Sequence, residues 1–121
     1  MPGPPLAGQG APMPMAGFGA APGMPQQATL SGPPGIYPVT AVKEVRVGRD
    51  PGQCDICLAE PRISAVHAVL RFEGGQLLVR DEGSNNGTFV GGVRIAPHTW
   101  TPVPNGSSVK FGPAEFAVRL E

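Results

Sequence analysis

Three short pieces of this sequence carry side chains suited to binding an anion. They read V-G-R at residues 47–49, S-A-V-H at 64–67 and G-S-N-N-G-T at 83–88. The guanidinium of Arg49 can hold a phosphate or carboxylate through two parallel hydrogen bonds, and the hydroxyl of Ser64 can donate to a third oxygen. The amides of Asn85 and Asn86 can pair with the backbone of an extended peptide. The residue types therefore predict a site for an anion carried on a peptide.

Each piece lies where an apolar, strand-like run gives way to a turn, which places its side chains on loops or strand ends. The clearest run covers residues 66–73, and Gly74-Gly75 then makes a two-residue hairpin turn into a strand at 76–82. Further strands are predicted at 42–49, 55–58, 88–90, 93–95, 97–103, 108–111 and 115–120. No segment shows a helical period, so the pattern predicts an all-β sandwich or barrel.

The first 38 residues differ in composition from the rest of the chain. They hold ten prolines and eight glycines, and no charged residue occurs before Lys43. A segment with so few groups to bury predicts a disordered tail or linker over residues 1–38, followed by a folded domain over 39–121. The only threonine of this tail, Thr29, is a candidate phosphorylation site that could dock on the domain.

The charges of the chain exclude some classes of partner. Nine basic and nine acidic residues, all within the folded part, give a net charge near zero. Nucleic-acid binding calls for clustered Lys and Arg, so we expect no nucleic-acid partner, and any anion must be recognised locally. No apolar run is long enough for a membrane span or a signal peptide, so we expect a cytoplasmic protein that does not bind membranes.

Cys54 and Cys57 form a C-x-x-C pair. A zinc site needs four ligands, and the only histidines, His67 and His98, lack a ligand-like spacing. In a strand, residues three apart point to opposite faces, which argues against both chelation and a disulfide. We therefore expect two half-buried free thiols and no metal or cofactor. A metal site shared between molecules is the remaining alternative.

Each element of the site also has an ordinary structural interpretation. Asn86-Gly87 is a common hairpin turn, Arg49 alone would be a surface arginine, and His67 would be a core or loop-bracing histidine. The order and spacing are more specific, since S-x-x-H begins 15 residues after Arg49 and G-S-x-N-G-T-F follows about twenty residues after Ser64. This combination resembles the forkhead-associated (FHA) family from Val45 to about Leu120.

The resemblance implies a β-sandwich that binds phosphothreonine peptides and has no catalytic residues. By that resemblance, Arg49 and Ser64 hold the phosphate, and Asn85 and Asn86 contact the peptide at and just after the phosphothreonine. The resemblance also implies a supporting role for four further residues, which are Gly48, His67, Gly87 and Thr88. The implied partner is a phosphothreonine-containing protein or peptide, such as a Ser/Thr kinase or its substrate.

The sequence departs from the family pattern at two positions. Many relatives have a basic or polar residue directly after the serine, whereas Ala65 has no side-chain donor. A charge-assisted hydrogen bond is worth roughly 1.5 to 3 kcal/mol, so its absence would weaken binding by about one to two powers of ten. Gly91 stands where relatives commonly have an asparagine, which removes one contact to the peptide backbone.

Two other classes of function fit the sequence less well. One is a phospho-independent interaction or assembly domain that uses another face of the sandwich, which the neutral surface and Ala65 favour. The other is an enzyme. It lacks parts, because the only base near Ser64 is the bracing His67, and the chain contains neither a motif of paired carboxylates nor a phosphate-cradling G-x-x-x-x-G-K.

Overall fold

The computed structural model describes residues 24–121, which form strands, turns and loops without a helix. Consequently, this part of the chain contains no helix that could cross a membrane. The strands in chain order are β1 (Gln27–Gly32), β2 (Gly35–Thr40), β3 (Val45–Gly48), β4 (Ile56–Cys57), β5 (Ala68–Glu73), β6 (Gln76–Asp81), β7 (Thr88–Val90), β8 (Val93–Arg94), β9 (Thr101–Val103), β10 (Ser108–Phe111) and β11 (Ala114–Leu120). The predicted all-β class is confirmed.

The strands form two sheets that pack face to face as a sandwich. One sheet has six strands in the order β2-β1-β11-β10-β7-β8, and the other has five in the order β4-β3-β5-β6-β9. All the paired strands run antiparallel except β3 and β4, which are parallel. The predicted hairpin between β5 and β6 turns at Gly74 and Gly75, whose φ angles of 61° and 78° suit glycine.

The core lies between the two sheets and is built from the inward-facing side chains, which alternate with outward-facing ones along many of the strands. In β6, for example, Leu77 and Val79 are fully buried, while Gln76 and Leu78 point away from the core. The largest fully buried apolar side chains are Leu30, Ile63, Leu70, Leu77, Phe111 and Phe116. This packing fixes the strand ends from which the site loops emerge.

The N-terminal boundary of the domain corrects the sequence prediction. The composition of residues 1–38 predicts a disordered tail, but β1 and β2 form a hairpin that extends the six-stranded sheet, with β1 paired to β11. Ala28, Leu30 and Val39 are fully buried in the core. The folded domain therefore includes residues 27–38, and the rest of the predicted tail, at residues 1–23, lies outside the described residues.

Local alternation explains why this proline-rich segment forms strands. Apolar Ala28 and Leu30 alternate with polar residues along β1, which is the pattern of a strand with one buried face. Pro38 lies on β2, at the edge of the sheet, where its missing N–H removes no bond to a further strand. The hydroxyl of Thr29 donates to the Glu121 carboxylate at 2.5 Å, so Thr29 belongs to the sheet and not to a free tail.

Candidate functional site

The three sequence pieces meet at one end of the sandwich. The backbone N–H of Arg49 donates to the carbonyl oxygen of Ser64 at 3.0 Å, and that of Asp50 donates to Ala65 at 3.1 Å. The backbone N–H of Asn85 donates to the Ser64 hydroxyl oxygen at 3.3 Å. Two loops that are distant in sequence thus contact the loop that carries Ser64, and the predicted site residues lie together.

Arg49 is exposed at the end of β3, and its guanidinium is oriented by residues 58–67, the loop between β4 and β5 that carries Ser64 and is called the serine loop below. Its Nη1 donates to the carbonyl oxygen of Ile63 at 2.6 Å and to that of Pro61 at 3.3 Å. Among residues 24–121, Nε and Nη2 have no hydrogen-bond partner, and no carboxylate lies within ion-pair distance of the guanidinium. One side of the guanidinium is therefore held in place while the other can receive an anion.

Ser64 is half-buried beside Arg49. Its hydroxyl oxygen accepts the bond from Asn85, and within the described part of the chain the hydroxyl proton has no acceptor. A hydroxyl has one proton to donate and two lone pairs to accept with, so this proton remains available for an oxygen of a ligand. The position suits a hydrogen bond to an anion that Arg49 also holds.

His67 joins the serine loop to the asparagine loop, which is the connection between β6 and β7 at residues 82–87. The ring is fully buried, its Nδ1 accepts from the backbone N–H of Ser64 at 3.2 Å, and its Nε2 donates to the carbonyl oxygen of Gly87 at 2.8 Å. Burial lowers the pKa of His67, against the opposing effects of the Gly87 bond and the Asp81 charge. The ring is therefore neutral near pH 7, with both nitrogens engaged by backbone groups, and braces the two loops.

Asp81 is a central residue of the site that the sequence analysis missed. Its Oδ1 accepts from the hydroxyls of Ser84, at 2.5 Å, and Thr88, at 2.7 Å, while Oδ2 accepts from the backbone N–H groups of Gly83 and Ser84, both at 3.0 Å. Burial raises the pKa of Asp81, but these hydrogen bonds outweigh it and hold the pKa below its usual value. The carboxylate thus organises the whole asparagine loop.

A signal for Asp81 was present in the sequence. In β6 the residue has the same parity as Leu77 and Val79, so the alternation that predicts the strand also points Asp81 into the core. A carboxylate in the core must be hydrogen-bonded, because an unpaired buried charge is very costly. Four donors follow within seven residues, namely the hydroxyls of Ser84 and Thr88 and the backbone N–H groups of Gly83 and Ser84.

The asparagine loop joins the two sheets and is not a hairpin. β6 belongs to the five-stranded sheet and β7 to the six-stranded one, so the hairpin interpretation of Asn86-Gly87 is wrong. Gly87 has a φ of 84°, a conformation that favours glycine. The Asn86 amide nitrogen donates to the carbonyl oxygen of Arg62 at 2.7 Å, which ties this loop to the serine loop, and both Asn85 and Asn86 are exposed.

The two cysteines lie beside the site as free thiols; Cys54 is half-buried as predicted, but the prediction is wrong for Cys57, which is exposed. The Cys54 thiol donates to the carbonyl oxygen of Ala65 at 3.2 Å, and the Cys57 thiol donates to that of Arg49 at 3.4 Å. Burial raises the pKa of Cys54, and the nearby Asp50 and Cys57 add to the shift. A raised thiol pKa disfavours nucleophilic chemistry. Across residues 24–121 no three metal-ligating side chains are grouped to hold an ion.

Gly48 allows Arg49 and Ser64 to approach each other. A methyl group at this position would collide with the carbonyl oxygen of Ala65 and would lie 2.8 Å from the Cys54 sulfur. Gly48→Ala is therefore expected to lower the free energy of unfolding by about 1–3 kcal/mol, as overpacking does elsewhere. Urea denaturation measures the change.

Gly52→Ala is the matched control for Gly48→Ala. Its new methyl group would meet only a carboxylate oxygen of Asp50, at 3.3 Å, in an exposed turn. We expect this variant to change the free energy of unfolding by less than about 0.5 kcal/mol. Equal losses in the two variants would contradict the close approach at Gly48.

Comparison with known proteins identifies the family. The sequence profile of the FHA domain matches residues 45–112. The human nuclear inhibitor of protein phosphatase 1 is 35% identical over 75 residues, which cover 60% of this chain and 21% of that protein. The chain thus spans about a fifth of the length of this curated relative.

Solved structures show the same fold. The FHA domain of the CT664 protein from Chlamydia trachomatis superposes with a TM-score of 0.71 at 26% identity, covering 78% of this chain and 98% of the other. Mycobacterium tuberculosis EmbR, solved in complex with a low-affinity phosphopeptide, superposes with a TM-score of 0.69 at 26% identity, covering 78% of this chain and 24% of the other. The sandwich fold agrees with the profile match, which covers all three loops of the site. The chain therefore belongs to the FHA domain family.

Proposed function

We propose that this domain reads phosphothreonine peptides, binding them reversibly without catalysis. One observation carries the proposal: the exposed guanidinium of Arg49, with no carboxylate partner in residues 24–121, lies beside a Ser64 hydroxyl whose proton has no acceptor there. A phosphate group offers several acceptor oxygens and a double negative charge. It can therefore satisfy both groups at once.

The surrounding contacts preorganise the site for a ligand. The carbonyl groups of Pro61 and Ile63 orient the Arg49 guanidinium, and His67 holds the serine loop against Gly87. Because these side chains are already ordered, little conformational entropy is lost on binding, and more of the interaction energy appears as affinity. The amides of Asn85 and Asn86 are exposed, which supports a role for them in contacting the backbone of the peptide.

The residue next to Ser64 limits the affinity. Ala65 is exposed and its methyl group cannot donate to a phosphate. The phosphate would therefore depend on Arg49, on Ser64 and on backbone groups of the loops. We infer a modest affinity, suited to a reversible contact with a phosphothreonine-containing protein such as a Ser/Thr kinase or its substrate. The phosphopeptide complex of the structurally similar EmbR supports this class of ligand.

Titration against a peptide library tests the proposed function. The same degenerate peptides are prepared with threonine, phosphothreonine or phosphoserine at the fixed central position, and binding to the domain is measured by fluorescence polarisation. We expect binding that depends on the phosphate, with phosphothreonine preferred because its methyl group adds a small apolar contact and restricts its rotamers. Equal binding of phosphorylated and unphosphorylated peptides would instead favour the phospho-independent interaction domain.

A further inference from the structure

The two cysteines lie on the same outer face of the five-stranded sheet. In β3 and β4, Val47 and Ile56 are register partners and both are buried. The next pair, Gly48 and Cys57, therefore points away from the core. A Cβ atom built on Gly48 would lie 2.8 Å from the Cys54 sulfur, which is thus on the same side. Since neighbouring strands are about 5 Å apart, the Cys54 sulfur lies within about 8 Å of the Cys57 Cβ atom.

This arrangement differs from the one predicted from the sequence, in which a strand at residues 55–58 points the two thiols to opposite faces. β4 covers only Ile56–Cys57, and Cys54 directly follows a turn at residues 51–53. The N–H of Cys54 donates to the carbonyl oxygen of Asp50 at 3.0 Å, across that turn. Because Cys54 is outside the strand, the alternation of strand faces does not separate it from Cys57. The turn itself is exposed, so no core packing opposes its movement toward Cys57.

Each thiol is hydrogen-bonded to a backbone segment that carries a proposed phosphate-binding residue. The Cys54 thiol donates to the carbonyl oxygen of Ala65, which directly follows Ser64. The Cys57 thiol donates to the carbonyl oxygen of Arg49. A chemical change at these two sulfur atoms therefore acts on the backbone that positions the guanidinium and the hydroxyl of the site.

We propose that Cys54 and Cys57 form a redox-sensitive modification site, at which oxidation to an intramolecular disulfide weakens phosphopeptide binding. The effect on binding rests on the proposed function, whereas formation of the disulfide does not. A disulfide sulfur carries no proton, so the hydrogen bonds to Ala65 and Arg49 are both lost. The turn at residues 51–53 also moves with Cys54, which changes the position of Arg49 relative to the serine loop.

The oxidant in this proposal is hydrogen peroxide. The exposed Cys57, as thiolate, attacks one peroxide oxygen, the O–O bond breaks, and the departing hydroxide takes up a proton to leave as water. Cys54 then attacks the resulting sulfenic acid, which forms the S–S bond, breaks the S–O bond and releases a second water. Two thiols are thus oxidised as one peroxide is reduced to two waters. Cys54 reacts second because it is half-buried and burial raises its pKa.

The first measurement detects the disulfide without any ligand. The whole chain is treated with one equivalent of hydrogen peroxide, alkylated with iodoacetamide and digested with trypsin without reduction. Both cysteines fall in one tryptic peptide, residues 50–62. In the parent, mass spectrometry should show this peptide without alkylation and with two hydrogen atoms fewer, and dithiothreitol should restore both thiols. In Cys54→Ser, the sulfenic acid of Cys57 cannot be resolved and should be trapped by dimedone.

The second measurement titrates a phosphothreonine peptide against each protein before oxidation, after oxidation and after reduction with dithiothreitol. We expect oxidation to weaken binding by the parent about tenfold or more, as the loss of one charge-assisted hydrogen bond to the phosphate would, and reduction to restore it. Cys57→Ser is the matched control, because it cannot form the disulfide but retains every other residue that peroxide oxidises, including the methionines. Its affinity should be the same before and after peroxide.

Three results would overturn the inference: no disulfide in the oxidised parent, a disulfide that joins two chains through Cys57, or an equal loss of affinity in Cys57→Ser. The reduced parent reports separately on the proposed function. If it binds phosphorylated and unphosphorylated peptides equally, the proposed function fails and the effect of oxidation on binding fails with it. If it binds only phosphorylated peptides and the mapped disulfide leaves the affinity unchanged, the role of the cysteines alone fails.

Discussion

Replacing Arg49 with alanine is expected to weaken phosphothreonine-peptide binding at least about a hundredfold. Each hydrogen bond between charged groups is worth roughly 1.5 to 3 kcal/mol, and the guanidinium can form two to one phosphate. The neighbouring Ala65 has no side-chain donor that could replace it. Isothermal titration with a peptide selected from the library measures the loss.

Arg46→Ala provides the control for this measurement. Both arginines lie at or beside β3, both are exposed, and neither forms an ion pair within residues 24–121. Arg46→Ala should change binding less than about twofold, because Arg46 lies inside β3 and, among residues 24–121, its side chain forms no hydrogen bond or ion pair with the site loops. Arg49→Lys keeps the charge without the fork and should give an intermediate loss. If Arg49→Ala bound like the parent while remaining folded, the phosphate site would be wrong.

Replacing Asp81 with alanine is expected to lower the free energy of unfolding by about 3–4 kcal/mol. The change removes the acceptor of four hydrogen bonds and leaves the hydroxyl donors of Ser84 and Thr88 buried without a partner. Since domains of this kind are stable by only about 5–15 kcal/mol, the effect is large. Chemical denaturation at pH 7 measures it.

Glu82→Ala is the matched control for Asp81→Ala. The neighbouring Glu82 is only half-buried and forms a single ion pair, with Arg80, at 2.6 Å. Such pairs near the surface contribute about 1 kcal/mol or less. Losses of the same size in the two variants would show that Asp81 does not organise the asparagine loop.

The pH dependence of stability gives a second readout for Asp81. Its pKa is lower in the folded protein than in the unfolded chain, so its stabilising effect is complete above about pH 3.9 and is lost as the pH falls below that value. Asp81→Asn cannot titrate, so the difference in unfolding free energy between parent and variant should shrink below about pH 3.9. A difference that stays constant down to about pH 2 would contradict this assignment.

Most strands from β3 onward could be predicted because buried and exposed positions alternate along longer strands such as β6, β10 and β11, and glycine turns separate several of them. β7 and β10 have the predicted bounds, and most other strands differ from the prediction by only a few residues at one end. The β1–β2 hairpin could not be recognised in the same way, because a composition averaged over 38 residues hides the alternation of Ala28 and Leu30. Averaging over a long window removes a signal that has a period of two residues.

The sequence motifs predicted that Arg49, Ser64, Asn85 and Asn86 share one site. They did not predict the contacts that hold these residues in place. The four bonds of Asp81 depend on the path by which the chain leaves one sheet and enters the other. This path is not contained in residue types and spacing alone.

The family profile matches a shorter stretch of sequence than the part that folds, at both ends of the domain. Residues 45–112 contain every proposed ligand contact, yet β1, β2 and β11 lie outside them. β11 connects β1 to β10, and these outlying strands supply Leu30, Val39, Phe116 and Val118 to the shared interior. The recognition signature is therefore shorter than the cooperative unit that supports it. Substitutions in β1, β2 or β11, which contain no proposed ligand contact, can therefore alter recognition by lowering the stability of the core that supports the loops.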